Sequence, residues 1–491
     1  MGLSSSEINK QKGSGVLIRV DRSNHSWISH PRHKHPPLDL LFIQSGLQKI
    51  KCSTYLIDMW GNHHSIEKIS KHIISTHVFF AIIKAYSWCI QETIALGKYL
   101  RNHNIITIAV GQHVHCASIL CKEKKSFVNT WSTAFDYSIM GNPESECIRF
   151  ISQLLNDSDN VSCKRYQHFQ HTYEPDIKDL PFPQFTYRMM IDYAFPFPVS
   201  QLNHIKKWAY IQTSWGCPHN CLHCSGAVRK SYGKKLYKRN PSTIIEEIRF
   251  HIQKGAQAIC FEDDALFTDK DHIRLLLQQM QQKSLNIPWM AHARPDELNE
   301  SILKSAASSG LKLLKIGVES GSPKQIEIIE KATCGKEWIA QVKHVFKLLK
   351  QFKIASVAMF MIGTPEETVS DIDRSISLAR DISPDYIQVQ RFTPYLDTRF
   401  YQTLSKKDRR TINTLSCYHY SFNKWSDVGM SEKQFNHYHI HFYRSFYLRV
   451  SFIMKFLKKN KFLLAQKSFL IERLKNVLIN HNHGGLYDCS M

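Results

Sequence analysis

An α/β chain is predicted: a doubly wound N-terminal domain, a partial (β/α)6 barrel and a helical C-terminal region. Three observations carry this. From Val16 to about Leu155, short apolar runs alternate with helical patterns. From Ala209 to about Phe400, a second alternation contains six strand-like runs joined by five helical ones. Beyond that point strand character disappears and basic residues accumulate. Strands alternating with helices bury their apolar faces as parallel sheets covered on both sides.

Residues 1 to about 35 are polar and read as a flexible start, with His33-Lys34-His35 expected to be solvated. In the first series Val16–Val20, Ser53–Met59, His77–Lys84, Ile105–Gly111 and Asp136–Gly141 read as strands. Leu38–Ile50, Cys89–Arg101 and Glu144–Leu155 have helical apolar spacing. A doubly wound sheet takes ligands in the crevice beyond its strand C-termini. Residues 1–155 are therefore expected as one domain.

Residues 156–205 read as a connecting strap. Leu180-Pro181-Phe182-Pro183 and Phe195-Pro196-Phe197-Pro198 exclude a regular helix or central strand, and the aromatic content argues for order. Residues 206–400 are expected to form the barrel. Its strands read at Ala209–Ser214, Ala258–Asp263, Trp289–Ala293, Leu313–Glu319, Ser356–Gly363 and Tyr386–Phe392. Its helices read at Pro241–Lys254, Asp271–Lys283, Asn299–Ser308, Glu337–Gln351 and Glu366–Ala379. Functional groups in such barrels sit at strand C-termini. In the 401–491 region His441 to Leu478 is helical in pattern. A cap on the barrel is the expected role; its basic and apolar faces also suit peripheral contact with a membrane surface.

Composition narrows the function classes. The chain has 491 residues, 43% of them hydrophobic, enough for several cores. The apolar runs Val78 to Ile83 and Val357 to Ile362 are too short to span a bilayer. The N-terminus lacks the apolar stretch of a secretory signal. Thirteen cysteines, odd in number and irregularly spaced, argue against a disulfide framework and for a reducing cytoplasm. Net charge is +22, and +10 of it falls after Phe400, where 15 Lys and Arg face 5 Asp and Glu. A basic surface suits nucleic acid or anionic lipid. There is no RNA-binding motif and the aromatics follow helical spacing, so nucleic acid is not expected.

The chemistry concentrates in Trp215-Gly216-Cys217-Pro218-His219-Asn220-Cys221-Leu222-His223-Cys224, directly after the first barrel strand. Three thiols at offsets 0, 4 and 7 can surround one centre. Thiolates are the soft ligands that iron–sulfur clusters require. Two readings are open on spacing alone. One is a four-iron cluster with one iron left open for a ligand. The other is zinc, with His219 or His223 as fourth ligand.

This loop resembles the CxxxCxxC motif of the radical S-adenosylmethionine (SAM) superfamily. Five further stretches match that family's patterns in order. They are Phe261-Glu262-Asp263-Asp264, Ala293-Arg294-Pro295-Asp296, Gly317-Val318-Glu319-Ser320-Gly321-Ser322, Gly363-Thr364-Pro365-Glu366-Glu367-Thr368 and Thr393-Pro394-Tyr395-Leu396-Asp397-Thr398. Glu366 and Asp397 stand where the family usually has glycine, and His223 where it usually has an aromatic residue. The resemblance implies that Cys217, Cys221 and Cys224 hold a [4Fe-4S] cluster whose open iron chelates SAM. It implies that His223, Asp263 or Asp264, Arg294, Glu319, Ser320 and Gly363 line the SAM site. An electron donor such as flavodoxin or ferredoxin is implied as partner.

The N-terminal region resembles the Rossmann-like cobalamin-binding domain that precedes the barrel in one large class of that superfamily. Pro36-Pro37-Leu38, Tyr55-Leu56-Ile57-Asp58, Val110-Gly111-Gln112-His113, Phe135-Asp136-Tyr137 and Gly141-Asn142-Pro143-Glu144 carry the likeness. Gly111, Gln112, Gly141 and Glu144 are then the expected cofactor-binding positions. The second strand is followed by Trp60-Gly61-Asn62-His63-His64, not by the Asp-x-His-x-x-Gly that supplies an axial histidine, and Gln112 replaces the second glycine of a usual pair. The resemblance implies methyl transfer to an unactivated carbon of a small molecule, peptide or lipid precursor. A non-methylating reaction on the same two domains is the alternative, and an RNA-interacting protein a more distant one. A methylthiotransferase is disfavoured, because the N-terminal cysteines lack a second cluster's spacing.

Overall fold

The fold was analysed in a computed structural model. It describes residues 14–21, 35–60, 65–86, 89–123, 125–141, 143–156, 167–169, 177, 180–194, 202, 204–224, 234–392, 398–409 and 432–459. Expectations for Gly61 to His64, Asn142, Phe195 to Pro198, Thr393 to Asp397 and the helical pattern past Lys459 lie outside these residues.

The N-terminal sheet has six parallel strands: β1 Ser14–Arg19, β2 Ser53–Asp58, β3 Phe80–Lys84, β4 Ile106–Val110, β5 Tyr137–Ile139 and β6 Gln167–Phe169. Their order is β2-β1-β3-β4-β5-β6. Helices α1 Leu38–Lys49, α2 Ile66–Ser75, α3 Ile90–Asn102, α4 Gln112–Glu123, α5 Lys125–Ser132 and α6 Pro143–Asn156 connect them. Core residues from both faces of the sheet fall in separate clusters, one around Val16, Ile18 and Ile83, the other around Leu17, Ile82 and Ile108. Burial on both faces explains why β1, β3 and β4 read as continuous apolar runs. The strand order reverses between β1 and β3, which opens a crevice at their C-terminal ends. The predicted fold is therefore present. Three pieces were not read from the sequence: α2, the α4–α5 pair, and β6, which extends the sheet from within the predicted strap.

The second sheet is also six-stranded and parallel. It comprises β7 Trp208–Ile211, β10 Ala258–Phe261, β11 Trp289–Ala293, β12 Leu311–Glu319, β13 Ala355–Ile362 and β14 Tyr386–Arg391. Between β7 and β10 lies a two-residue antiparallel pair, β8 Ser214–Trp215 and β9 Tyr237–Lys238. The order β14-β13-β12-β11-β10-β7 follows the sequence without reversal, as a barrel built from successive right-handed crossovers requires. Helices α7 Pro241–Gln253, α8 Lys270–Gln282, α9 Glu300–Ser308, α10 Gly335–Gln351 and α11 Val369–Ile382 make those crossovers. Local chemistry sets their starts. Asn240 caps α7 with Pro241 as its first residue. Thr368 and Asp371 form a reciprocal capping box on α11, worth about 1 kcal/mol.

The free edge of β14 is covered by α12, Glu432–Tyr447. Tyr447 Oη accepts from the Ile387 N–H at 2.9 Å, and Tyr443 Oη from the Val389 N–H at 2.8 Å. His439 Nε2 lies 3.0 Å from the Val389 carbonyl. The spacing explains the match: four helical residues rise about 6 Å, and two strand residues about 6.6 Å. Phe435, Phe442, Phe446 and both tyrosines are buried in the barrel core. The described part of the C-terminal region is thus the cap that was expected. No described helix is long and apolar enough to cross a membrane.

The two domains share a core. Leu38, Leu41 and Phe42 of α1 belong to the barrel's hydrophobic cluster, as do Phe185 and Tyr193 of the strap.

Candidate active site

The cysteine loop leaves the C-terminal end of β7, and its approach is braced. Asp263, just past β10, accepts from the Thr213 N–H at 3.0 Å, the Thr213 hydroxyl at 2.7 Å and the Ser214 hydroxyl at 2.6 Å. This buried carboxylate ties the loop's entry to the next strand. Burial raises its pKa, and the hydrogen bonds from Ser214 and Thr213 oppose the rise. Asp264 differs. It is exposed to solvent, yet protein crowding and then the charges of Asp263 and Glu262 push it up to about 7.

Within the loop Cys217 is half-buried, Cys221 buried and Cys224 exposed. Among the described residues no three or more His, Cys, Asp or Glu converge into a closed metal set. In thiolate sites the loop's closure and the binding of its metal are coupled. The loop is pinned from outside: the Leu222 N–H donates to the Ile329 carbonyl at 2.9 Å, and Arg399 donates to the Asn220 carbonyl at 2.8 Å while gripping Glu330. His219 Nε2 sits 2.7 Å from Glu297 Oε1. That contact leaves Nδ1 as the ring nitrogen of His219 that could meet a metal.

Cations gather on Cys221. Arg294 Nη1 lies 3.3 Å from Cys221 Sγ, while its other nitrogens hold Asp296 and the Lys331 carbonyl. Lys331 donates to Glu319 Oε1 at 2.8 Å. Burial alone would lower the Lys331 pKa, but Glu319 and then Cys221 outweigh it and the pKa is raised. For Glu319 burial works upward, and Lys331, His223 and Arg294 bring the pKa below its ordinary value. Arg294, Glu319, His223 and Cys221 are therefore brought together as predicted. Lys331 and Trp338, whose ring lies 5.1 Å from the Arg294 guanidinium, were not anticipated. They come from the loop and helix after β12, with no spacing signature. Gly317 makes room for the pair: a Cβ there would fall 2.9 Å from Glu319 Oε1.

The donor set suits an iron–sulfur cluster. It offers three thiols, with two cations beside one of them. Burial raises the Cys217 thiol, with the His219 backbone N–H pulling the other way. Positive charge nearby and bound metal both favour thiolate.

Two predicted residues sit in supporting roles. Ser320 is buried, 3.1 Å from the Ser375 hydroxyl, and accepts from the Ser322 N–H. The Gly363 N–H donates to Glu367 at 2.5 Å, and burial pushes that carboxyl up to about 8. Both shape turns at strand ends. Glu366 has φ +56°, the left-handed backbone that glycine adopts without cost.

The N-terminal crevice adjoins this mouth. Gly111 and Gly141 have φ +97° and +92°. A Cβ on Gly111 would meet the Ala85 carbonyl and Lys84 Cγ at 3.2 Å. Gln112 begins α4. The Gly141 N–H donates to His115 Nε2 at 3.2 Å. Trp215 Nε1 donates to Glu144 Oε1 at 3.2 Å, so the residue two before Cys217 touches the N-terminal domain. Burial, then Asp39, pushes Glu144 up to about 7, and burial lowers His113 to about 3. Arg19 grips Asp58, and Lys84 holds Asp39 at 2.7 Å.

The fold is thus a six-stranded parallel barrel with a three-cysteine loop at its strand C-termini, joined to a doubly wound domain. The model of the radical SAM superfamily matches residues 211–379, and the chain carries a radical SAM domain there. That family implies a [4Fe-4S] cluster and SAM as cofactors. Among curated proteins, an uncharacterised methyltransferase of Pyrococcus horikoshii is 29% identical over 46% of this chain and 47% of its own length. An anaerobic magnesium-protoporphyrin IX monomethyl ester cyclase of Synechocystis is 23% identical over 78% of this chain and 75% of its own. The chain thus spans about half the length of the Pyrococcus relative. Two solved structures share the fold. The cobalamin-dependent SAM radical enzyme OxsB has a TM-score of 0.63 at 12% identity, covering 95% of this chain and 73% of its own. The radical SAM methyltransferase TsrM of Kitasatospora setae, solved with cobalamin and a [4Fe-4S] cluster, has 0.58 at 12% identity, covering 79% and 77%.

Proposed function

We propose that the chain is a cobalamin-dependent radical SAM methyltransferase acting on an unactivated carbon. The observation that carries this reading is the contact between Trp215 and Glu144. It joins the start of the cysteine loop to the Gly141–Glu144 turn of the N-terminal crevice, so two cofactor sites adjoin one reaction space. When bound, the cluster supplies an electron to SAM and cobalamin supplies a methyl group.

The chain's own residues bind and orient. Cys217, Cys221 and Cys224 hold the cluster, with Arg294 and Lys331 favouring the thiolate at Cys221. Glu319, kept ionised by Lys331, and Asp264 are the acceptors for the ammonium or ribose hydroxyls of SAM. Asp263 is a positioning residue that fixes the loop's entry. In the crevice the left-handed turns at Gly111 and Gly141 let backbone approach a bulky ligand closely. Ion pairs there are closed internally, and burial disfavours charge on Glu144 and His113, which suits the amide-rich periphery of a corrin.

A non-methylating reaction has its own support, since the alignment with the Synechocystis cyclase spans most of this chain. Anaerobic purification, reconstitution with iron and sulfide, and addition of hydroxocobalamin separate the readings. About four irons and one cobalt per chain, followed by a product heavier by one methylene, are expected. Cluster without cobalt would sink the methyltransferase reading.

A further inference from the structure

The helical cap ends in an element whose outer face is apolar. Helix α13, Val450–Lys459, follows α12 after a short break. Phe452 anchors it inward: this residue is buried, its ring centred 5.1 Å from Phe446 and 5.0 Å from Tyr447. Residues three and four apart share a helix face, so Val450, Ile453 and Met454 fall together on the side away from Phe452. Val450 is 77% exposed and Met454 64%. With Leu448 just before the helix, these residues are four of the ten large hydrophobic side chains exposed among the described residues. Surface helices turn polar residues outward. Exposed apolar residues scattered singly need no cause, but four within seven positions mark an interaction site.

The rim of this face is basic. Arg380, near the end of α11, donates to the Ser445 carbonyl at 3.2 Å. Arg449, which immediately precedes α13, donates to the Phe446 carbonyl at 2.9 Å and to the Arg380 carbonyl at 3.4 Å, and it lies over the Phe446 ring. Among the described residues neither guanidinium pairs with a carboxylate. The neighbouring Asp381 is taken by Lys343 at 2.7 Å. Burial, then the like charge of Arg380, lowers the Arg449 pKa. Lys458, one turn beyond Met454, is a third exposed cation on this rim. The sequence keeps acids away from the whole stretch: between Glu432 and Glu472 there is no Asp or Glu, against eight Lys and Arg.

We propose that α13 docks the chain on an anionic lipid surface. Val450, Ile453 and Met454 enter the boundary between head groups and acyl chains, and Arg380, Arg449 and Lys458 meet lipid phosphates. Such binding draws on buried apolar area and on attraction to anionic lipid together. Charge complementarity selects this occupant. A second copy of the chain would set one basic rim against another. The chain's own residues 461–478 carry four basic residues and one acid, so they too would add like charge. Single-stranded nucleic acid stacks its bases on aromatic rings, and the exposed face of α13 offers aliphatic side chains instead. The inference is independent of the reaction proposed above.

The test is flotation of the full chain with vesicles of phosphatidylcholine alone, or of phosphatidylcholine with about one-third phosphatidylglycerol. The chain is expected to float with the anionic vesicles and not with the neutral ones. Binding should fall steeply as salt approaches about 1 M, where charges are screened beyond about 3 Å. Arg380→Gln and Lys458→Gln should each weaken it about five-fold. Val450→Asp combined with Met454→Asp should weaken it at least about ten-fold, with Tm unchanged because both positions are exposed. No binding to anionic vesicles overturns the proposal, as does binding that the double aspartate variant leaves intact. A clear fall in Tm of that variant means that the chain itself covers the face. Self-association lost in that variant assigns the face to a second copy, and an oligouridylate bound more tightly than the vesicles assigns it to RNA; each of these results also overturns the proposal. Cluster content and SAM cleavage, measured without vesicles, read the proposed reaction separately and should be the same in all these variants.

Discussion

The barrel mouth and the N-terminal crevice meet at Trp215, and they handle charge in opposite ways. At the mouth, Arg294 and Lys331 turn their charge toward Cys221 and Glu319. In the crevice, ions close on one another as Arg19–Asp58 and Lys84–Asp39, and Glu144 stays protonated up to about pH 7. At the mouth, left-handed turns fall on Glu319, Glu330 and Glu366 as well as on Gly216 and Gly363. In the crevice they fall on Gly111 and Gly141. A site for an anionic inorganic core needs fixed cations. A site for a broad, neutral ligand needs bare backbone and few open charges.

The largest test removes the reason for the cations. Cys221→Ala should reduce reconstituted iron from about four per chain to near zero and abolish SAM cleavage, as iron analysis and 5′-deoxyadenosine detection will read. If iron persists, the mouth is not the cluster site and the comparison breaks. Arg294→Met keeps the thiols but strips one cation. Loss of a supporting partner of this kind typically costs about 10- to 100-fold, to be measured as SAM cleavage at saturating SAM.

Glu144→Gln probes the other side. A carboxyl raised in the folded state contributes stability below its unfolded pKa and loses it as pH rises through the folded value. Glu144 therefore penalises folding progressively between about pH 4.5 and 7. The variant should gain up to about 3 kcal/mol over the natural chain at pH 8 and nothing at pH 4. Denaturant midpoints at the two pH values check this; a pH-independent difference would mean the crevice does not hold Glu144 neutral. The smallest effect is Glu366→Gly. Relieving a left-handed non-glycine residue should stabilise the chain by about 1 kcal/mol, readable as a rise in Tm with SAM cleavage retained.

Most of the barrel was legible in the sequence because each strand is a buried apolar run followed by a periodic helix. Observed strand ends at β10, β11, β13 and β14 fall within two residues of the expected ones. The helix α2 escaped because its apolar stripe is only Ile66, Ile69, Ile73 and Ile74 among polar residues. The strand β6 is three residues long, too short for any period to register. The cysteines announced themselves by spacing. Lys331 did not, because its role comes from a loop brought back over the barrel after β12. Asp263 was readable as functional but not as a brace, since only the fold brings Thr213 and Ser214 to it.

The row of His439, Tyr443 and Tyr447 along β14 has a consequence for how this chain keeps company with its copies. An exposed parallel edge offers unpaired N–H and C=O groups to any passing strand. Here a helix impersonates the missing neighbour with phenol and imidazole, at the pitch that a strand would use. The disguise is made of side chains, so it can be removed without touching the barrel. A chain with Tyr443 and Tyr447 replaced by phenylalanine would keep its core rings and lose the mask. Such a chain still carries α12 over the edge, but the Ile387 and Val389 N–H groups lose their acceptors at about 1–3 kcal/mol each, so two hydroxyl groups set how firmly the edge stays hidden from other copies.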